Sequence, residues 1–324
     1  MYFFYACKKD NIVQEEITPY SETPYTLDYP YYFPKMSNIP LDNKLSIERT
    51  ALGRKLYYDP ILSNNGLSCS SCHYQSEAFS LSSTNALPHI NLGWNSHFLW
   101  NGKIAGTVED IMKFEVDEFF STDISKLNAS EEYRKEFKKA YNVSNISSKE
   151  VTYALAQFFR TLISKDSKFD KFFMHKTNLS SPETKGYVIF NTEKGDCFHC
   201  HSLGLFTDNF FHNIGIDSVF DGVNRGRFNY TGNAADMGLF KTPTLRNIEM
   251  TAPYMHDGRF KTLEEVVEHY NSGVKLSHSI DPIMTKAGKE FGLRLTSEEK
   301  SDLVAFLKTL TDSTFLNNPT FAKP

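Results

Sequence analysis

Two five-residue segments constrain this chain more than anything else in it: Cys69-Ser70-Ser71-Cys72-His73 and Cys197-Phe198-His199-Cys200-His201. They use four of the five cysteines and place a histidine directly after each pair. Two thiols separated by two residues can add to the two vinyl groups on one edge of a porphyrin from a single tight turn. The imidazole that follows then swings under the iron as proximal ligand. Each segment therefore reads as a c-type heme attachment site, with His73 and His201 as proximal ligands of two separate hemes. Other chemistries fit less well. A zinc site made from the two Cys-x-x-Cys pairs would leave both histidines unused. A thioredoxin-like redox motif belongs near a βαβ pattern, which is not seen here.

Covalent heme attachment belongs to an oxidising compartment outside the cytoplasm, so a periplasmic location is expected. The remaining cysteine, Cys7, agrees with this. Met1 to Ala6 are mostly apolar and end in a small residue, and Cys7 is followed by charge. The segment resembles the tail of a lipoprotein signal peptide, although only six residues precede Cys7. A lipid anchor through Cys7 is the expectation, against an incidental free cysteine. The net charge of −4 offers no basic excess for nucleic acid. No run of 18 apolar residues exists to span a membrane. Aromatic residues make up 14% of the chain, which suits flat cofactors as well as ordinary core packing.

The pattern along the chain is mainly α-helical. Residues 1–40 read as a signal remnant and an extended arm. Ser46 to Tyr58 reads as a helix with Ile47, Ala51, Leu52, Lys55 and Leu56 along one face, and it leads into the first heme motif. Ser147-Ser148-Lys149-Glu150 fits a capping box before a helix over Val151 to Ile163. Thr184 to Phe190 reads as a helix, and Asn191 to Asp196 turns into the second motif. Thr262 to Glu265 and Thr296 to Glu299 are two further capping boxes, each opening a helix. A helix feeding a heme-binding turn, twice, predicts two cytochrome-c-like domains with one covalent heme each, over residues 41–165 and 166–324.

Several segments then carry a resemblance. They are Leu52 to Asp59 with Leu62-Ser63, Phe98-Leu99-Trp100-Asn101-Gly102-Lys103, Thr242-Pro243-Thr244-Leu245-Arg246-Asn247, and Thr251 to Gly258. From about Phe33 to Leu310 the chain resembles the bacterial diheme cytochrome c peroxidase family, which includes the MauG branch. The resemblance implies an N-terminal heme that reacts with hydrogen peroxide and a C-terminal heme that relays electrons. It also implies a calcium ion between them and a bridging tryptophan, matched by Trp100. Calcium would be held by Asn85, Thr251 and Pro253; hard oxygen ligands suit that ion, though Asn85 could equally be a turn residue.

A heme that activates peroxide needs an open sixth position, whereas an electron-transfer heme has both axial positions filled. At the C-terminal heme the resemblance places Tyr270 where classical members carry Met, as in MauG. A phenolate favours oxidised iron, so Tyr270 would depress the potential. His269 points about 100° away on a helix, and Met255 and Met284 are rival ligands. At the N-terminal heme the loop Tyr74 to Thr84 lacks the histidine that many classical members use as distal ligand. His89 and His97 are the nearest alternatives, read as surface or supporting residues. The distal acid–base group implied by the resemblance maps to Glu115, with Asp110, Asp117 and Glu118 as rivals.

The expected function is a peroxidase that reduces hydrogen peroxide at the N-terminal heme, with electrons from a small donor such as a cytochrome c or cupredoxin. A homodimer is a further expectation. The alternatives are a MauG-like oxidase, in which the heme pair draws oxidising equivalents from a protein substrate, and a plain diheme electron carrier.

Overall fold

The computed structural model describes residues 19–290 and 292–324. Cys7 and the expected lipid anchor lie outside them. Among the described residues the helices are α1 (Ile47–Tyr58), α2 (Val108–Phe114), α3 (Ile124–Ala129), α4 (Glu131–Tyr141), α5 (Ser148–Thr161), α6 (Lys168–Phe173), α7 (Ser181–Phe190), α8 (Phe228–Thr231), α9 (Leu263–Glu268), α10 (Ser297–Lys308) and α11 (Ser313–Leu316). The strands are β1 (His97–Phe98) with β2 (Ile104–Ala105), and β3 (Phe211–His212) with β4 (Phe240–Lys241), both pairs antiparallel. No helix among these residues is long and apolar enough to cross a membrane.

Helix starts follow side-chain chemistry. The Ser46 hydroxyl accepts from the Arg49 N–H at the head of α1, and reciprocal capping boxes open α5, α9 and α10 at Ser147, Thr262 and Thr296. α7 starts three residues before the expected Thr184, because Ser180 and Glu183 form a further box and Pro182 suits the first turn. The expected apolar face of α1 is partly wrong. Leu52, Gly53, Leu56 and Tyr57 are buried with Arg49, whereas Ile47 is 51% exposed. Gly53 explains the rotation: a Cβ there would lie 1.9 Å from the Ala154 carbonyl oxygen, so the side of α1 that can approach α5 is the glycine side.

The same contact recurs in the second half. α7 crosses α10 at Gly186, where a Cβ would lie 1.9 Å from the Asp302 carbonyl oxygen. Each crossing supports its own core. The first gathers Leu56, Tyr57, Phe79, Phe137, Phe158 and Phe159; the second gathers Phe169, Phe190, Phe206, Phe306 and Leu310. The chain passes from one core to the other between Leu162 and Phe169. The last residues then cross back. Phe315 and Phe321 join the first core, and the Arg54 Nε donates to the Ala322 carbonyl at 2.7 Å.

The arm before α1 ties the halves together. Phe33 packs with Ile163 and Leu205. The Tyr32 hydroxyl donates to Asp170 at 2.6 Å, and Arg246 holds the same carboxylate through two 2.9 Å bonds with both side chains buried. A second tie is the Lys241 N–H, which donates to the Trp100 carbonyl at 2.8 Å and so links the turn of the β1–β2 hairpin to β4.

Candidate heme centres

Both motifs present the same local machinery. Short 3₁₀ turns over Cys69–Ser71 and Cys197–His199 close each cysteine pair into one tight turn, the Cys72 N–H donating to the Cys69 carbonyl and the Cys200 N–H to the Cys197 carbonyl. The His73 Nδ1 lies 2.8 Å from the Phe79 carbonyl oxygen, and the His201 Nδ1 lies 3.0 Å from the Phe206 carbonyl oxygen. With the Nδ1–H donating to the carbonyl, Nε2 is left bearing a lone pair, as metal ligation requires. Burial holds the His73 imidazole down, at about 4, and lowers His201 as well, so both rings are neutral near pH 7. No disulfide engages the four motif cysteines, so each sulfur is available to a porphyrin vinyl group. Burial pushes Cys197 up to about 12, and Cys69 higher still.

Beside the second motif lies a cavity of about 220 Å³, lined by Cys197, Cys200, His201, Tyr270, Leu245 and Trp100 among others. Thiols, an imidazole with a free Nε2 and apolar walls are the donor set that a covalent heme needs. Tyr270 stands on this cavity, and burial pushes its phenol well above the usual range. His269 is turned elsewhere, with its Nε2 3.0 Å from the Ile214 carbonyl oxygen. Met255 and Met284, the rival ligands, line the same cavity.

Tyr270 and Glu115 occupy matching places. Each stands eight residues after the threonine of a capping box, Thr107 for Glu115 and Thr262 for Tyr270. Each sits where an α-helix widens into a π-helical turn, Glu115–Phe119 after α2 and His269–Gly273 after α9. Such turns recur at functional sites because the extra residue re-aims a side chain. This spacing was a readable signal that sequence reasoning missed. Burial raises the Glu115 carboxyl to about 7, and Glu115 is near enough to Cys69 to raise that thiol further. Its rivals are engaged elsewhere. Asp110 caps α2 through Thr107, Asp117 bonds to Lys113 and Ser148, and Glu118 is exposed.

Trp100 belongs to the first half, in the turn between β1 and β2, yet it lines the cavity of the second motif. Its indole N–H points to the Asn85 carbonyl at 3.5 Å. Asn85, Thr251 and Pro253 all line that cavity too. The Asn85 Nδ2 donates to the Met255 carbonyl at 2.6 Å, which leaves its side-chain oxygen as the atom able to meet a cation. His89 is no surface residue: it is partly buried, with its ring against His73. His97 packs edge-on against Phe211.

His212 went unnoticed in the sequence. Its Nε2 lies 2.8 Å from Asp208 and its Nδ1 2.5 Å from Asp281, at the rim of the cavity. Burial works against its charge, but the two carboxylates prevail and raise it to about 12. Lys241, also on the cavity, is held down at about 8 by burial.

Residues 47–178 match the family described as di-haem cytochrome c peroxidase. The methylamine utilization protein MauG of Methylorubrum extorquens is 35% identical over 295 residues, covering 84% of this chain and 80% of that protein. The chain belongs to the di-haem cytochrome c peroxidase family. It is thus an oxidoreductase with two hemes c, mainly helical and built from two cytochrome-c-like halves. The cytochrome c551 peroxidase of Nitrosomonas europaea is 33% identical over 289 residues, 80% of this chain and 79% of that one. Among solved structures, a MauG-like protein associated with microbial copper homeostasis superposes with a TM-score of 0.83 at 34% identity, covering 93% of this chain and 99% of that chain. The diheme peroxidase BthA of Burkholderia thailandensis shares the fold, with a TM-score of 0.64 at 18% identity over 86% of this chain and 90% of that one.

Proposed function

We propose that this family member reduces hydrogen peroxide at the first heme site, with electrons passing in through the second. The observation that carries this reading is the unequal pair at matching positions, a carboxyl at Glu115 and a phenol at Tyr270. When bound, the two hemes would supply the redox chemistry for peroxide reduction and electron storage. His73 and His201 would hold the hemes through Nε2, while the Phe79 and Phe206 carbonyls fix the opposite ring nitrogen. Glu115, balanced near neutrality, takes a proton from hydrogen peroxide on one carboxylate oxygen and returns it to the departing oxygen. Tyr270, on the cavity beside the second motif, would hold the second heme through its phenolic oxygen, whereas Glu115 beside the first motif would serve as acid and base. Trp100 stands between the halves as the relay.

Asn85, Thr251 and Pro253 would hold a calcium ion through one side-chain and two backbone oxygens, an oxygen-only set that suits a hard cation. Covalent heme attachment supports a periplasmic location and the Met1–Cys7 segment a lipid anchor at Cys7; a small cytochrome c or cupredoxin would be the donor and a second copy the partner. Steady-state consumption of hydrogen peroxide with reduced cytochrome c tests the reading. An all-low-spin ferric spectrum, with both irons six-coordinate, would overturn it in favour of a plain electron carrier. Tyr270 also favours a second reading, a MauG-like oxidase acting on a protein. A long-lived oxidised state of the protein after peroxide is consumed, with no added donor sustaining turnover, would select that reading instead.

A further inference from the structure

We propose that His89 is a positioning residue for the first heme site: its ring braces the His73 imidazole so that Nε2 meets the iron in one orientation. The inference rests on the reading of His73 as proximal ligand. The two rings are stacked, with centroids 3.4 Å apart and planes 19° from parallel. The two residues share a hydrogen-bond acceptor as well. The Phe79 carbonyl that accepts from the His73 Nδ1 also accepts the His89 N–H, at 3.1 Å. Tyr57, fully buried, clasps the pair from the other end. Its hydroxyl is 3.2 Å from the His89 Nδ1 and 3.2 Å from the His73 carbonyl oxygen.

A single hydrogen bond at Nδ1 fixes the tautomer of a proximal histidine but lets the ring tilt about that bond. A flat partner against one face removes that freedom, and Phe159, 4.6 Å from the His89 ring, backs the partner in turn.

The second half shows that the fold does not require an imidazole here. There the Leu245 N–H donates to the Phe206 carbonyl at 3.3 Å, as the His89 N–H does to Phe79. Two residues later the Asn247 and Asn91 N–H groups donate to the Leu310 and Leu162 carbonyls, both at 3.0 Å. Leu245 thus holds the place of His89 beside His201. The extra aromatic brace belongs to the site assigned to peroxide chemistry. Nor does the geometry suit His89 as an axial ligand. It lies on the face of His73, whereas a second ligand must approach the iron from the side opposite His73.

The test uses the heme-loaded protein and the variants His89→Leu and His89→Phe, with resonance Raman and EPR spectra as readouts. Leucine is already accommodated at the matching position, and phenylalanine keeps a flat ring. Wild type and His89→Phe should share one iron–histidine stretch and one narrow ferric high-spin signal for the first heme. His89→Leu should shift the stretch and broaden that signal, with both hemes still attached. Spectra of His89→Leu identical to wild type would overturn the proposal. A first heme that is low-spin in wild type and becomes high-spin in His89→Leu would also overturn it, by making His89 an axial ligand. Failure of the His73 assignment itself would show separately, as the absence of any iron–histidine stretch from the first heme of the wild-type protein.

Discussion

Glu115 brings an ionisable proton next to the first heme motif, and two consequences can be read from one cause. Burial raises its carboxyl to about 7, so near neutral pH it can both accept and donate a proton. Glu115→Gln keeps the shape and removes the proton, and should lower kcat for peroxide by about 10²–10⁴-fold with heme content unchanged, as measured by steady-state turnover. Stability should respond as well. Above the ordinary glutamate value of 4.5 the unfolded chain has released a proton that the folded protein still holds. The carboxyl therefore costs stability increasingly from about pH 4.5 to about pH 7, and by a constant amount beyond. The melting-temperature advantage of Glu115→Gln over wild type should grow across that window and then level off. A pH-independent difference would mean that the carboxyl is well solvated. At the second site, Tyr270→Met exchanges a hard anion for a thioether and should raise the C-terminal heme potential in a redox titration. An unchanged potential would show that Tyr270 does not ligate. The sequence marks both heme-attachment motifs, because thiol and imidazole spacing is local. It could not separate Glu115 from three neighbouring carboxylates without the matching Thr107 and Thr262 spacing. It could not bring Asp281 to His212, because that pairing is made by folding alone.

At the level of elements, the two halves are the same device built twice: a helix packed on another through a glycine, then a heme-binding turn. The caps were legible because a serine or threonine followed three residues later by glutamate is a local signal. The buried side of α1 was not, because its nearest approach to α5 is made by Gly53, which carries no apolar atoms of its own. Gly53→Ala should push α1 and α5 apart, since the new Cβ meets a backbone carbonyl that cannot rotate away. Overpacking of this kind costs about 1–3 kcal/mol, to be read from denaturant unfolding. Ile47, expected to be buried and found 51% exposed, should tolerate Ser with a change within about 0.5 kcal/mol.

Across the whole molecule, the seam between the halves is where the electron path must run, and three separate pieces of chain hold it. The arm places Tyr32 and Phe33 against both sides, the Trp100 carbonyl accepts the Lys241 N–H, and the last residues return to the first core. The composition of residues 311–324 reveals nothing of that return, because Phe315 and Phe321 are two aromatics in a polar segment whose partners lie far back in the chain. The return makes the first half depend on residues that the domain reading gave to the second. Phe315 is 2% exposed and packs edge-on against Phe79, whose carbonyl holds His73. Phe315→Ala should cost about 3–5 kcal/mol, and hydrogen exchange should find the loss in α1 and α5 before α7 and α10. If α10, the nearer neighbour in sequence, lost protection first, the tail would belong energetically to the second half, and the brace it gives the peroxide site would be incidental.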